Sequence, residues 1–315
     1  MQENAVRLFN KVRNFSSASV AAAIFLSILF SGLLGKESMG WQISFAIVAL
    51  AIGIPHGALD HLITLPKNEP KKMAAFVFIY VAVAVVAVIG ILKFNIIGFI
   101  FVLLMSAVHF GIGDAAFINE IDKRSATRAK LLRFFYIPAA GFTPVFIPLV
   151  NSASTDALAK VNSSLINWHQ GLNQEILVVV TTFAVISVVA LLITRRIREA
   201  IDLILLLALA LFTPPLIAFA VYFGCWHAMR HTARLTLSLP LTKRNLSEGK
   251  LNKAFLNAVI PGLPALVGTF AVAGGLALSG KDFTDEFFWM ALVVVWALTV
   301  PHMVVTAKLD RAALT

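Results

Sequence analysis

In a chain of 315 residues with 59% hydrophobic and only 13% charged side chains, there is too little polar surface to cover a soluble globule. A mean hydropathy of +0.87 points instead to a protein that crosses a membrane several times. A formal charge of +10 would suggest nucleic acid for a soluble protein, but here Lys and Arg fall between apolar runs. They read as topology signals and contacts to anionic lipid, and no nucleic-acid partner is expected. The single Cys225 excludes an intrachain disulfide and a thiolate cluster, which leaves nitrogen and oxygen as donors for any metal.

In chain order, residues 1–18 form an expected cytoplasmic segment, whose Arg7, Lys11 and Arg13 are placed on the inner surface. No small-residue cleavage site stands close behind the first apolar run, 19–35, so it reads as an uncleaved span. The second span, 41–65, contains Ile54-Pro55-His56-Gly57-Ala58-Leu59-Asp60-His61. A loop with Lys67, Lys71 and Lys72 leads to a third, 73–92, and the fourth, 95–117, contains His109-Phe110-Gly111-Ile112-Gly113-Asp114. After Lys123, Arg124, Arg128 and Lys130 comes a fifth span, 132–150, expected to kink at Pro138, Pro144 and Pro148. The stretch 151–173 is the longest polar connection and bears His169 beside Trp168, read as a solvated or interfacial side chain.

Span six is 175–194, followed by Arg195, Arg196 and Arg198. The apolar run 200–237 is too long for one crossing, and Thr213-Pro214-Pro215 divides it into spans seven and eight. Past Lys243, Arg244, Lys250 and Lys253, span nine covers 254–279 with breaks at Pro261 and Pro264. Span ten covers 286–308 and carries Val300-Pro301-His302-Met303, and residues 309–315 form a tail. The expected fold is an all-α, polytopic transmembrane bundle of about ten spans, with one catalytic unit over 19–308. Basic residues gather at both ends and after the even-numbered spans, so both termini are expected in the cytoplasm, with Lys93 dissenting.

His227 and His231, four apart, share one helical face where both can reach one ion. On this topology His56, His109, His227 and His302 all lie about 20 Å down their spans, which run in the same direction. Histidines with purely structural roles would scatter in depth, so the common level favours a metal site. His56 and His61 are about 140° apart around a helix, so only one faces the centre easily. Asp60 shares the face of His56 and can accept its second N–H. Asp114 is turned from His109 and either serves a neighbouring helix, caps its own or pairs with a cation. Arg230 points to the inner headgroups or pairs with Asp60 or Asp114. Phe110, Tyr222, Phe223, Trp226 and Trp296 lie near the layer and either line a tunnel or simply pack. An all-nitrogen donor set suits iron, copper, zinc or nickel. HExxH is absent, since Ala228, Met229 and Arg230 fill the interval, which argues against a hydrolase. A ferrous site with open positions for dioxygen fits a membrane, where oxygen and apolar substrates both concentrate.

Pro55-His56-Gly57-Ala58-Leu59-Asp60, His109-Phe110-Gly111 with Asp114, Pro214-Pro215-Leu216 leading to Tyr222-Phe223 and His227-x-x-Arg230-His231, and Leu298-Thr299-Val300-Pro301-His302-Met303 together resemble the Brp/Blh family of integral-membrane β-carotene 15,15'-dioxygenases. The resemblance implies iron(II)- and dioxygen-dependent cleavage of the central double bond of β-carotene into two all-trans-retinal. It implies iron ligation by His56, His109, His227 and His231, with His61 and His302 supporting the ligands or handling protons; Asp60, Asp114 and Arg230 are expected beside them on the reading of the residues above. It also implies the inner (plasma) membrane of a bacterium or archaeon, and a retinal-binding rhodopsin as product acceptor. Ala228 stands where the family pattern has Ser.

Two other readings compete. A di-iron lipid desaturase or hydroxylase would need more histidine boxes than the one HxxxH here, and counting iron per chain separates the two. A His/Asp-based transporter would string polar residues through the membrane's depth instead of gathering them in one layer.

Overall fold

The computed structural model describes residues 1–33, 39–64, 69–125, 129–278 and 283–315, and no strand occurs among them. The expected ends of spans one, two and nine at 35, 65 and 279 lie outside the described residues, as do Lys67 and Arg128.

The helices are α1 (Gln2–Leu29), α2 (Met39–Gly57), α3 (Asp60–Thr64), α4 (Pro70–Lys93), α5 (Asn95–Asp122), α6 (Arg133–Val150), α7 (Ser154–Asn162) and α8 (Asn173–Ile193). They continue as α9 (Ile197–Phe212), α10 (Pro215–Ala220), α11 (Met229–Leu235), α12 (Pro240–Ser247), α13 (Leu251–Leu256), α14 (Leu263–Leu278) and α15 (Phe283–Leu314). Between α10 and α11 the chain is π-helical over Val221–Ala228. The polytopic helical bundle read from the sequence is the fold observed.

Eight stretches are long and apolar enough to cross a membrane among the described residues. The run expected to hold spans seven and eight is divided at Pro214 as anticipated. It gives α9, of 16 residues, and a composite helix of α10, the π segment and α11. Pro215 occupies the first turn of α10, where its missing N–H has no intrahelical acceptor to lose. In α6 the helix continues through Pro138, Pro144 and Pro148. The boundary at residue 18 falls inside α1, which packs along α9, the π segment and α11.

Burial sorts the helices by position. Only Ala84 and Ile91 are buried in α4, while Phe78, Ile79 and Val86 are largely exposed, the pattern of a helix turned toward hydrocarbon. In contrast half of α5 and most of α6, the π segment and the middle of α15 are buried. Helices α5 and α6 cross closely because two glycines face each other's backbone. A Cβ on Gly141 would fall 1.9 Å from Ala107 O, and one on Gly111 would fall 2.1 Å from Ile137 O.

Candidate functional site

Five imidazoles meet in the bundle's interior: His56 from α2, His109 from α5, His227 and His231 from the π segment and α11, and His302 from α15. Each is at most 6% exposed. His56 has ring centres at 5.2, 5.0 and 5.5 Å from those of His227, His231 and His302. His109 lies 5.2 Å from both His227 and His302, and His302 lies 5.4 Å from His231. The longest contacts are His227 to His231 at 6.2 Å and His109 to His231 at 6.5 Å. The histidines read from the sequence as one layer are thus brought together, and His302 is as close to His56, His109 and His231 as the other rings are to one another.

Local sequence explains the delivery. Pro55 and Pro301 each sit inside a helix one residue before a ring, where they free a carbonyl of the preceding turn. α2 ends two residues after Pro55, whereas α15 runs on. The π segment winds more loosely than an α-helix, a geometry often found at functional sites. It stacks Phe223 on His227, with ring centres 6.1 Å apart. Gly53 accommodates that ring, since a Cβ there would lie 2.0 Å from Phe223 Cε1.

The carboxylates serve partners other than those expected. Asp60 shares a face with His56 only if the helix is continuous, and the break after Gly57 turns it toward α4 and α15 instead. It accepts from His302 Nδ1 at 2.9 and 3.0 Å and from the Tyr80 hydroxyl at 3.1 Å. Asp114 makes no hydrogen bond to an imidazole among the described residues. It accepts from Arg230 at 2.6 Å, from Tyr136 at 2.5 Å and from Trp226 Nε1 at 3.1 Å. Arg230 therefore points into the bundle and not to the headgroups. Its guanidinium stacks 3.5 Å from the centre of the Trp226 ring and donates at 3.1 Å to Asp202. Asp202 in turn accepts from Arg13 at 2.7 Å and from Ser17 at 3.0 Å. Arg13 also pairs with Glu199 at 2.8 Å, and Glu199 with Arg196, which reaches Asp122 at 2.8 Å. Arg13 and Arg196, read as surface charges, are thus buried members of an alternating chain of ions.

Among the described residues no group of three or more His, Cys, Asp or Glu is arranged as a ready-made metal site. The fit of an ion therefore rests on ring spacing and unpartnered nitrogens. Imidazoles that share one ion through nitrogens at about 2.1 Å hold their ring centres roughly 4.5 to 6.5 Å apart, the interval found here. His109 Nε2, both nitrogens of His231 and His302 Nε2 are buried with no hydrogen-bond partner among the described residues. Buried lone pairs without donors are costly unless a cation meets them, so the donor set fits a metal.

Two apolar cavities lie side by side near the cluster, and the histidines line the first of them. One, of about 240 Å³, is bounded by His56, His109, His227 and His302 on one side and by Phe76, Val77 and Ala265 of α4 and α14 on the other. The second, of about 130 Å³, runs among Phe99, Leu165, Tyr222, Phe288 and Trp296. Phe110, Phe223, Val295 and Thr299 belong to both walls and form the partition between them. Of the aromatics expected along a tunnel, Trp226 lines neither cavity, because its indole is committed to Asp114 and Arg230. His61 borders the first cavity, half-buried, and makes no ring contact with the cluster among the described residues. His169 stays apart, its Nδ1 accepting from the Gly171 N–H at 3.1 Å.

The sequence model of the β-carotene 15,15'-dioxygenase family matches residues 47–310, a span that contains all five clustered histidines. The chain belongs to this family. Among relatives of the dioxygenase family, the β-carotene 15,15'-dioxygenase of an uncultured marine bacterium, 66A03, is 27% identical over 264 residues, covering 80% of this chain and 88% of the relative. The probable β-carotene 15,15'-dioxygenase Blh of Halobacterium salinarum is 25% identical over 300 residues, 84% of this chain and 82% of that protein. No solved structure matches. Within the dioxygenase-family match, Tyr80 and Asp202 were not singled out from the sequence. Tyr80 carried a signal, as the only hydroxyl in the otherwise apolar run 73–92.

Proposed function

We propose that this chain cleaves the central 15,15' double bond of β-carotene with dioxygen, giving two all-trans-retinal, at a ferrous ion held by the histidine cluster. The observation that carries this reading is that the cluster lines one apolar cavity next to the aromatic partition that separates it from a second. Cutting a symmetric polyene at its middle requires room for an arm on each side of the reacting point. Phe110 and Phe223, which divide the cavities, lie 4.3 and 6.1 Å from the His227 ring. A polyene threaded past them would rest one half in each cavity with its central bond beside the imidazoles.

His56, His109, His227 and His231 would hold the metal, and bound iron(II) would supply the activation of dioxygen that a closed-shell polyene needs. Phe110 and Phe223 orient the polyene, and the buried walls keep water from the reacting carbons. The bond between carbons 15 and 15' breaks and each carbon leaves as an aldehyde, so one dioxygen accounts for both oxygens. The wall that α4 gives the first cavity includes Val77 and Val81, which are exposed on the helix's apolar face, and this suits entry of substrate from the lipid bilayer. The positive-inside pattern supports a cytoplasmic location for both termini, with the cluster in the inner half of the membrane.

Supplying the detergent-solubilised protein with β-carotene and ferrous iron, then resolving the products chromatographically, tests the reading. Retinal as the single aldehyde is expected. Aldehydes of unequal length would overturn central cleavage, and no product from iron-loaded protein would overturn carotenoid cleavage.

A further inference from the structure

His302 entered as a residue that assists the ligands, yet its surroundings differ from those of an assisting group. Its Nδ1 lies 2.9 and 3.0 Å from the two oxygens of Asp60. A carboxylate only accepts, so Nδ1 carries the ring proton and Nε2 is left with a lone pair. That nitrogen is buried and has no partner among the described residues. Around it stand the rings of His56, His109 and His231, with centres 5.2 to 5.5 Å from the His302 ring. Asp60 is itself fixed, because the Tyr80 hydroxyl donates to it from α4 at 3.1 Å. The order is Tyr80 to Asp60 to His302 to cluster, and it joins α4, α3 and α15 in a carboxylate–histidine relay of the kind that orients metal-bound imidazoles.

We infer that His302 is a fifth nitrogen donor to the ion, its tautomer fixed by Asp60, with Asp60 held in turn by Tyr80. This rests on the proposed metal site and extends it to a residue on α15. The arrangement gives Asp60 and Tyr80 positioning roles that act through His302.

Cobalt(II) added anaerobically to the full chain in detergent tests this without turnover, since its visible absorption reports the number and geometry of donors. Wild-type protein and His169→Ala are expected to give the same spectrum and affinity. His302→Ala is expected to change the band positions and intensity and to weaken cobalt binding by about tenfold or more. Asp60→Asn, which keeps the size of the side chain but not its charge, is expected to weaken binding by about 10- to 100-fold. Tyr80→Phe is expected to follow in the same direction with a smaller change. His302→Gln provides a second probe if the alanine variant fails to fold, with a monodisperse elution profile as the check. A wild-type spectrum and affinity in His302→Ala or His302→Gln, with cobalt lost from His231→Ala, would overturn the role of His302 and leave the metal site standing. Cobalt bound by His231→Ala as tightly as by wild type, or by no form of the chain, would overturn both.

Discussion

Two polar regions lie next to each other inside the bundle, and they are built on opposite terms. The histidine cluster gathers buried imidazoles with nitrogens that have no hydrogen-bond partner among the described residues. The ion chain, running from Asp122 through Arg196, Glu199, Arg13, Asp202 and Arg230 to Asp114, alternates carboxylates with guanidiniums. Arg230 lies between His227 and His231 in sequence, so one short helix contributes to both. The difference teaches which region is scaffold and which is site. Opposite charges paired along a chain lock helices together, whereas imidazole lone pairs converging on one another in a dry interior offer a cation a place to bind.

The contrast is sharpest when each region is broken on its own side. His227→Ala or His231→Ala should abolish metal retention, and with it product formation, while the protein still inserts and elutes as a folded species. Metal analysis of purified protein checks this, and full iron occupancy in either variant would count against the cluster as the metal site. On the other side, Asp202→Asn or Arg230→Gln should cost about 3 to 5 kcal/mol of stability by stranding a buried charge. Unfolding in detergent measures it, and a midpoint equal to wild type would show the ion chain to be dispensable.

Smaller changes refine the boundary. Gly141→Ala should destabilise by about 1 to 3 kcal/mol, because the new methyl meets the backbone oxygen of Ala107, which cannot step aside. Gly53→Ala meets the ring of Phe223, which can move only by intruding on the cavities. It should lower carotenoid turnover while leaving metal content unchanged, as paired rate and metal measurements would reveal. Trp226→Phe keeps the stack on Arg230 but loses the donor to Asp114, and should cost about 1 kcal/mol in the same unfolding assay.

Much of the site was legible before any coordinates. Histidines on separate apolar runs share one depth because helical rise converts sequence offset directly into distance. Pro55-His56 and Pro301-His302 were matched as motifs through the family resemblance instead. What stayed hidden depends on geometry that periodicity does not encode. The π segment leaves no mark in a 3.6-residue pattern, so the stacking of Phe223 on His227 was out of reach. Asp60 was assigned to His56 on the assumption of one unbroken helix, and the break after Gly57 gave it to His302. Arg13 and Arg196 were counted as topology signals because a charge count does not see partners. The acidic pair Glu199 and Asp202, three residues apart on an apolar helix, was the available hint that basic residues had to come inward to meet them.

The family signature begins at residue 47, but Arg13 comes from α1, well upstream of it. The charge balance of this ion chain thus leans on a stretch by which the family is not recognised. In sister sequences the guanidinium and the acids it answers should come and go together, and a protein trimmed to the recognisable region should leave Asp202 bare on the side that α1 now covers.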